Sequence, residues 1–269
     1  MKTKYKGLIL VAIIIVVIAV SVISGFDKER IDIAGSTSVQ PLAEQLATEY
    51  VADRDNIQVN VQGGGSGMGI RSVSQGIADI GTSSKELSSE DSVGVTTVEL
   101  GKEGIVIGVH NSNTIDDLST DQIRQIFSGE VTNWKELGGP DEEIHVVTRE
   151  EGSGTRDAFE SIILDGQDMK SDAIVQSSTE SVKQAVSTDP GAIGYMSFAH
   201  MSDDVKSITV NHVSVSEETI ADGSYELQRP FLFVINEDNY SQAVRNFVDW
   251  IKSPEGEQII IDAKIVPSN

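Results

Sequence analysis

The feature that most limits the possible fold is a repeated order of short strand, glycine-rich turn and helix. Residues 30–34 are predicted as a strand, 35–38 as a Gly/Ser/Thr turn, and 41–52 as a helix with apolar residues at helical spacing. Residues 58–62 then alternate like a strand and lead into a second turn at 63–69. Strands and helices that alternate at this length favour an α/β fold with mainly parallel sheets.

The same alternation continues to the end of the chain. A helix is predicted through Ile70, Val73 and Ile77, followed by a strand at 79–81 that ends in the hydroxyl-rich residues 82–84. The further predictions are strands at 104–109, 143–148, 191–196 and 230–235, and helices at 118–127, 158–162 and 240–251.

This order of elements predicts two lobes, each a mainly parallel sheet flanked by helices. The first lobe comprises residues 27–105 together with the C-terminal segment 232–269, and the second comprises residues 106–231. Two crossing strands near 105 and 232 then form the hinge. The roughly 240 residues after the N-terminal segment suffice for two lobes of ordinary size.

Residues 1–26 do not belong to the predicted globular fold. Three lysines in the first six residues precede an almost purely apolar run from Leu8 to Ile23. A basic flank before such a run is typical of a secretory signal peptide or a signal anchor. We favour an uncleaved anchor, because no clear cleavage site follows the run. The flanking lysines predict that the rest of the chain lies outside the cytoplasm, on the extracytoplasmic face of the membrane.

The composition excludes several kinds of chemistry. Cysteine is absent from the 269 residues, which excludes disulfides, thiolate metal sites, thiol catalysis and a lipid anchor on cysteine. The net charge of −22 disfavours nucleic acid and anionic membrane surfaces as partners, since like charges repel. The same charge repels anionic ligands at long range. Any anion site therefore has to be local, built from backbone N–H groups, hydroxyls and a few arginines.

Three turns rich in Gly, Ser and Thr, at 35–38, 63–69 and 152–155, stand between a strand and a helix. Such turns place free backbone N–H groups at the positive end of a helix, where anions bind. Arg149 and Arg156 flank the third turn, and arginine holds an oxyanion through parallel hydrogen bonds. Each turn alone is also explained by ordinary capping and turn chemistry. The three turns and two arginines together favour an oxyanion site.

The sequence contains no motif for catalysis or metal binding that we recognise. The four histidines form no HExxH motif and no i,i+4 pair, and neither a Walker sequence nor a G-x-S-x-G elbow occurs. A phosphatase or another phosphoryl-transfer enzyme needs a metal cage or an activated nucleophile. We therefore expect a binding protein without catalytic residues, bound metal or cofactor.

Six segments together carry a resemblance to one protein family. They are GSTS at 35–38, QGGGSGMG at 62–69, ADIGTSS at 78–84, IFSGEVTNWKELGG at 126–139, REEGSGTR at 149–156 and GAIGYMS at 191–197. From about Ile31 to the C-terminus, the chain resembles the phosphate-binding proteins of ABC phosphate-uptake transporters. The resemblance implies a two-lobed, type II-like periplasmic-binding-protein fold that closes around one inorganic phosphate. It also implies delivery of phosphate to permease subunits that work with a cytoplasmic ATPase, and we expect a monomer.

The resemblance also implies which residues contact phosphate. The positions that match the family motifs are Thr37, Ser38, Ser66, Ser84, Arg149, Ser153, Gly154, Thr155 and Arg156. In this assignment Arg149 supplies the main charge. Arg156 resembles a second arginine found in a subgroup of the family and makes a secondary contact. The neighbouring pair Glu150-Glu151 is interpreted as part of a solvated face.

Ser84 departs from the best-known family pattern, in which an aspartate at this place accepts the proton of phosphate. A carboxylate there would repel fully ionised sulfate, whereas a serine hydroxyl carries no charge that rejects it. Discrimination against sulfate therefore requires another acid, such as Glu151 or Asp79, to turn inward.

Two alternatives to phosphate transport stay open at this point. The chain can bind another tetrahedral oxyanion, such as sulfate or molybdate, or it can serve as a phosphate sensor that has lost transport. Titration with phosphate and then sulfate distinguishes the ligands. Co-purification with a permease and an ATPase distinguishes transport from sensing.

Overall fold

The computed structural model describes residues 28–268, so the predicted membrane segment at 1–26 lies outside the described part. Within that part, no helix combines the length and the apolar character needed to cross a membrane. The strands are β1 Glu29–Gly35, β2 Ile57–Gly63, β3 Ile80–Ser83, β4 Val95–Val109, β5 Asp117–Leu118, β6 His145–Arg149, β7 Ile174–Gln176, β8 Ala192–Ser197, β9 Lys206–Ser207, β10 Thr209–Val210, β11 Gln228–Asn236 and β12 Val266–Pro267. The helices are α1 Gln40–Ala52, α2 Ser66–Ser74, α3 Thr120–Ser128, α4 Gly154–Phe159, α5 Thr179–Thr188, α6 Glu217–Ala221, α7 Gln242–Ile251 and α8 Pro254–Asp262. A π-helical turn at Glu160–Leu164 continues α4, and 3₁₀ turns lie at Trp134–Leu137, Phe198–His200 and Glu237–Asn239.

Most strands belong to one mixed sheet in the order β2-β1-β3-β11-β4-β8-β6-β7, and β9 and β12 also pair with β4. β1 pairs in parallel with β2 and β3, which we call the first strand group. β6 pairs in parallel with β7 and β8, which we call the second strand group. The antiparallel strands β11 and β4 stand between the two groups. This order confirms the predicted α/β class and the parallel pairing within each strand group. The sheet as a whole is mixed rather than mainly parallel, because β4 and β11 pair antiparallel with their neighbours.

Strand β4 passes from one strand group to the other. Its residues up to Gly104 pair with β11, where Gly104 lies opposite Gln228, and from Ile105 onward it pairs with β8. The crossings predicted near 105 and 232 therefore fall on β4 and β11, which lie side by side. The residue limits predicted for the two lobes stay predictions.

Each strand group has its own apolar core. One core contains Ile31, Leu46, Phe233, Phe247 and Ile260. The other contains Phe127, Trp134, Phe159, Ile193 and Tyr195. In the second core, the rings of Phe159 and Tyr195 stack with their centroids 4.1 Å apart. A buried aromatic side chain removes on the order of 150–250 Å² from water, so these cores fix the strands whose ends carry the site.

Two element boundaries differ clearly from the predictions, and one helix next to the predicted terminal helix was not predicted. Helix α2 ends at Ser74 because Gly76 has a φ of 67°, a left-handed conformation that stops a helix, and Ile77 is 69% exposed. Strand β4 begins at Val95, well before its predicted start. Its residues 96–99 alternate between partly buried and exposed, so they lack the continuous apolar run on which the prediction rested. A further helix, α8, follows the predicted terminal helix and has Pro254 in its first turn.

Candidate functional site

The three predicted turns lie together at the carboxyl ends of their strands. They are the β1–α1 turn at 35–38, the β2–α2 turn at 63–69 and the β6–α4 turn at 152–155. The backbone joins two of them directly, since Gly67 N donates a hydrogen bond to Gly152 O at 3.0 Å. In open α/β sheets, ligands bind in the crevice outside such strand ends. The turns therefore line one cleft between the two strand groups.

One cluster of hydroxyls gathers around Thr179, the first residue of α5. Ser38 Oγ lies 2.9 Å from Thr179 Oγ1 and 2.9 Å from Thr155 Oγ1, and Thr37 Oγ1 lies 3.5 Å from Thr179 Oγ1. We call these four residues the Thr179 cluster. Ser38, Thr155 and Thr179 are buried, so their hydroxyls bond to one another or to a ligand. Thr179 was not among the predicted site residues.

A second cluster surrounds Ser84, just after β3. Ser36 Oγ donates to Ser84 Oγ at 2.9 Å, Ser84 N donates to Ser66 Oγ at 3.1 Å, and the two hydroxyl oxygens of Ser66 and Ser84 are 3.4 Å apart. We call Ser36, Ser66 and Ser84 the Ser84 cluster. Because Ser84 Oγ accepts a bond from Ser36, its own O–H is free to donate.

Gly154 brings the third turn against the Ser84 cluster. A Cβ at this position would overlap Ser66 Oγ and reach within 2.7 Å of Ser84 Oγ. Only a residue without a side chain lets the backbone approach so closely. Gly154 and the neighbouring Thr155 thus link the Ser84 cluster to the Thr179 cluster.

Arg149 is the buried cation of the cleft. It is 1% exposed, and its Nη1 donates to Thr179 Oγ1 at 3.2 Å. Its Nε and Nη2 donate to the two carboxylate oxygens of Glu150, each at 2.8 Å. This parallel pair orients the guanidinium and supplies the partner that a buried charge requires. The interpretation of Glu150 as part of a solvated face was therefore wrong, because Glu150 is the counter-ion of Arg149.

Ser153 and Arg156 support the third turn. Ser153 Oγ accepts a hydrogen bond from Arg156 N at 3.3 Å and thereby caps α4. The Arg156 guanidinium donates to Glu160 Oε1 at 2.7 Å and to Arg149 O at 3.0 Å. The second of these bonds ties down the backbone of Arg149. The anion contacts expected from Ser153 and Arg156 stay predictions.

The acids considered as substitutes for a carboxylate at Ser84 have other surroundings. Asp79 Oδ2 accepts a hydrogen bond from Asp32 N at 2.9 Å, and Glu151 is exposed. Among residues 28–268, the hydrogen-bond partners of the Ser84 side chain are the hydroxyls of the Ser84 cluster. At this place the cleft therefore presents hydroxyls rather than a negatively charged proton acceptor.

Comparison with known proteins shows the family to which the chain belongs. A family model described as a PBP superfamily domain matches residues 22–255. The phosphate-binding protein PstS of Bacillus subtilis (strain 168) is 31% identical over 240 residues, which cover 87% of this chain and 79% of that protein. The chain belongs to the PstS family of phosphate-binding proteins.

Solved structures similar to this PstS-family chain share its whole architecture. A phosphate ABC transporter substrate-binding protein of Clostridium perfringens, with bound phosphate, superimposes with a TM-score of 0.87 at 35% identity and covers 90% of this chain and 100% of its own. An ABC-type phosphate transport receptor of Vibrio cholerae gives a TM-score of 0.75 at 33% identity, over 88% of this chain and 100% of its own. These similarities confirm the predicted two-lobed periplasmic-binding-protein fold.

A buried ion pair that was not predicted lies beside the cleft of this PstS-family chain. Glu103 on β4 and Arg229 on β11 stand opposite each other in the strand register. Arg229 Nε lies 3.1 Å from Glu103 Oε2, and both side chains are almost fully buried. Burial raises the pKa of the Glu103 carboxyl and lowers the pKa of Arg229, while the opposite charge of each partner offsets part of these shifts. In the sequence, Glu103 directly precedes the apolar run at 104–109 and Arg229 directly precedes the apolar run at 230–235. These two charges beside buried strands are the signal from which the pair could have been predicted.

Two other titratable groups next to the cleft remain neutral at neutral pH. Burial raises the pKa of Tyr195 to about 12, and its hydroxyl accepts a hydrogen bond from Arg149 N at 3.2 Å. Burial also lowers the pKa of His200, whose Nε2 lies 3.3 Å from Ser38 O. Neither group adds a negative charge to the cleft. Within the described part of the chain, no group of His, Asp and Glu has an arrangement that could hold a metal ion.

Proposed function

We propose that this chain binds inorganic phosphate in the cleft between the two strand groups and leaves it chemically unchanged. The observation that carries the proposal is the meeting of the Thr179 cluster, the Ser84 cluster and Arg149 at the carboxyl ends of the strands. The bound phosphate in the similar Clostridium perfringens structure supports the same ligand. The PstS family consists of substrate-binding transport proteins rather than enzymes, which supports binding without catalysis.

Neutral donors suit a phosphate site in a strongly acidic protein. A hydrogen bond that involves a charged group contributes about 1.5–3 kcal/mol. Micromolar affinity needs roughly 8 kcal/mol, so several such bonds suffice. Because Glu150 offsets part of the charge of Arg149, the affinity depends on many donors and not on one ion pair.

We further propose that the cleft closes around phosphate and that the closed form delivers it to an ABC permease for import. Contacts between the two strand groups support a closed form, since Ser38 bonds to both Thr155 and Thr179. The side-by-side strands β4 and β11 supply the hinge for such a closure.

The proposed site of action is the extracytoplasmic face of the membrane. The basic flank and apolar run within residues 1–26 support an anchor, or a secreted protein if that segment is cleaved. The proposed partners are the permease subunits and, through them, the cytoplasmic ATPase. The chain is proposed to act as a monomer, and its net charge of −22 argues against a nucleic-acid partner.

Isothermal titration of the full chain, purified in detergent and stripped of bound anion, tests the proposal. We expect saturable phosphate binding with one site per chain. The variant Arg149→Met should bind phosphate at least about tenfold more weakly, because a buried charged donor is lost. Arg245→Met is the matched control, since it removes an exposed arginine that packs on Tyr240. Unchanged affinity in Arg149→Met, or no phosphate binding by the parent chain, contradicts the proposal.

A second candidate ligand is sulfate, and Ser84 is the observation that favours it. The hydroxyls around Ser84 can donate hydrogen bonds to a fully ionised oxyanion, and because they are neutral they do not repel it. The same titration with sulfate decides between the ligands. Sulfate affinity comparable to phosphate affinity would make the chain a general oxyanion binder.

A further inference from the structure

The Glu103–Arg229 pair lies where the two crossing strands meet. The two residues face each other across the β4–β11 register, one position before β4 reaches Gly104. Both are inside the protein, with Glu103 0% and Arg229 3% exposed. A buried ion pair is often no more stabilising than two apolar residues of similar volume, so stability alone does not account for this one.

The pair has two distinct ends. The carboxylate end faces the end of β8 and the turn that follows it, where Glu103 Oε1 accepts hydrogen bonds from Ser197 Oγ at 2.6 Å and from Ala199 N at 3.3 Å. The guanidinium end faces the cleft, where Arg229 Nη1 donates to Ser84 O at 3.4 Å. The pair is therefore a dipole with its positive end against the Ser84 cluster.

This contact fixes the peptide group that carries the Ser84 hydroxyl. Arg229 holds the carbonyl oxygen of Ser84, while the amide N–H of Ser84 donates to Ser66 Oγ. A carbonyl oxygen that is bonded to a guanidinium is not presented to an anion. Within residues 28–268, Nη2 of Arg229 has no hydrogen-bond partner, so one donor of the guanidinium is left unsatisfied beside the cleft.

We propose that Arg229 is a positioning residue of the anion site that acts through Ser84. Its guanidinium turns the Ser84 carbonyl away from the anion, holds the Ser84 hydroxyl ready to donate, and adds a positive potential from outside the hydroxyl clusters. Glu103 holds the guanidinium in this position from the side of the second strand group. This inference rests on the proposed phosphate site and adds to it a residue that touches no anion.

The test compares the parent chain with the paired variant Glu103→Gln/Arg229→Gln, titrated with phosphate in mildly acidic and mildly alkaline buffer. The paired variant removes both charges, keeps polar side chains of similar size, and leaves no buried charge unpaired. We expect its phosphate affinity to be about tenfold lower than that of the parent. We also expect a smaller gain in affinity from acidic to alkaline buffer, because a lost positive potential weakens dianion binding more than monoanion binding. A purely structural role would not change this pH profile.

Two further variants make the outcome unambiguous. Arg229→Lys keeps the charge but lacks the fork that bonds to Glu103 and Ser84 together, so we expect weaker phosphate binding with the parent's pH profile. Arg245→Gln, at an exposed arginine, is the matched control and should change neither quantity. The inference is overturned if the folded paired variant binds phosphate with the parent's affinity and pH profile. If the paired variant does not fold, undiminished affinity in Arg229→Lys overturns it. Absence of phosphate binding by the parent instead refutes the proposed function itself.

Discussion

Thr179 connects the cation of the cleft to its hydroxyls. It bonds to Ser38 from the first strand group and accepts a hydrogen bond from Arg149 of the second. Its hydroxyl therefore contacts both the charged donor Arg149 and the neutral hydroxyl of Ser38. Arg149 has Glu150 as its other partner, so Glu150 and Thr179 together hold the guanidinium in place.

The substitution Thr179→Val tests this role. Valine has nearly the same shape but no hydroxyl, so Arg149 Nη1 loses its partner and Ser38 loses one of its two. We expect about a tenfold loss of phosphate affinity in isothermal titration, with the fold retained. Thr188→Val is the control, because Thr188 is an exposed residue at the end of the same helix. Equal affinities in the two variants would remove Thr179 from the site.

The substitution Ser84→Asp tests the selectivity of the site. A carboxylate at this position accepts the proton of phosphate but faces a fully ionised sulfate with like charge. We expect sulfate affinity to fall by at least about a hundredfold while phosphate binding is retained, because like charges in a desolvated site cost several kcal/mol. Ser84→Asn, of similar shape and without charge, is the control. If sulfate binds equally to both variants, the Ser84 position does not set the selectivity.

The residues in glycine-rich strand-end turns could be predicted from the sequence, whereas Thr179 in a plainer turn and Arg229 on a distant strand could not. Ser38 and Ser66 stand in glycine-rich turns with an evident signature. Thr179 lies in a less conspicuous turn, although the preceding Ser178 caps its helix and the strand–turn–helix order is the same. Arg229 approaches Ser84 only through the pairing of β11, and one sequence does not reveal that pairing.

Helix α4 and the segment after β3 are joined across the cleft by an ion pair. Lys85 Nζ lies 2.6 Å from Asp157 Oδ2. Lys85 follows β3 of the first strand group, and Asp157 lies on α4. The two side chains are 22% and 36% exposed, so solvent weakens the attraction between them. We therefore expect the pair to adjust the lifetime of the proposed closed form without dominating its stability.

The substitution Asp157→Asn tests this ion pair. We expect phosphate to dissociate about two- to threefold faster at low salt, and the difference from the parent to shrink as salt is added. Stopped-flow measurement of phosphate release provides the rates. Asp141→Asn is the control, since the Asp141–Lys135 pair is exposed and lies away from the cleft. A difference that persists at high salt would show that the pair acts through geometry and not through charge.

Periodicity identified the elements around the three predicted turns, but it missed helices α5, α6 and α8 and did not give all of the element limits. The helical conformation of α2 follows from the spacing of its apolar residues. Its end depends on the left-handed conformation of Gly76. The prediction extended the helix too far because Ile77 continues the apolar spacing although its side chain is exposed. The first part of β4 carries polar residues because one face of it is exposed there, so only its fully buried part was predicted. Whether a strand is buried on one face or on both depends on the tertiary structure, so the local pattern of apolar residues predicts it only in part.

The molecule as a whole carries a net charge of −22, whereas its cleft is proposed to hold an anion. The long-range field therefore opposes the approach of phosphate, and the local donors act only at short distance. At physiological ionic strength the field decays over about 8 Å, so salt lowers the barrier to approach.

We expect the association rate of phosphate to rise when salt is raised from low to physiological concentration. The absence of cysteine lets one introduced cysteine carry a fluorescent dye, and the exposed Glu151 beside the third turn is a suitable position. Stopped-flow fluorescence in sodium chloride gives the rate, with choline chloride as the control for specific ion effects. A rate that falls with salt would show that local arginines, and not the net charge, govern the encounter.

Strand β4 gives the chain a property that matters for protein engineering. Its residues up to Gly104 form backbone hydrogen bonds with β11, and its residues from Ile105 onward form them with β8. Neither strand group is therefore a separable module. A fragment with the second strand group but without β4 would leave the edge of β8 unpaired, and unpaired edges promote aggregation. A chimaera that exchanges one strand group between two relatives therefore has to take both β4 and β11 from the same parent protein.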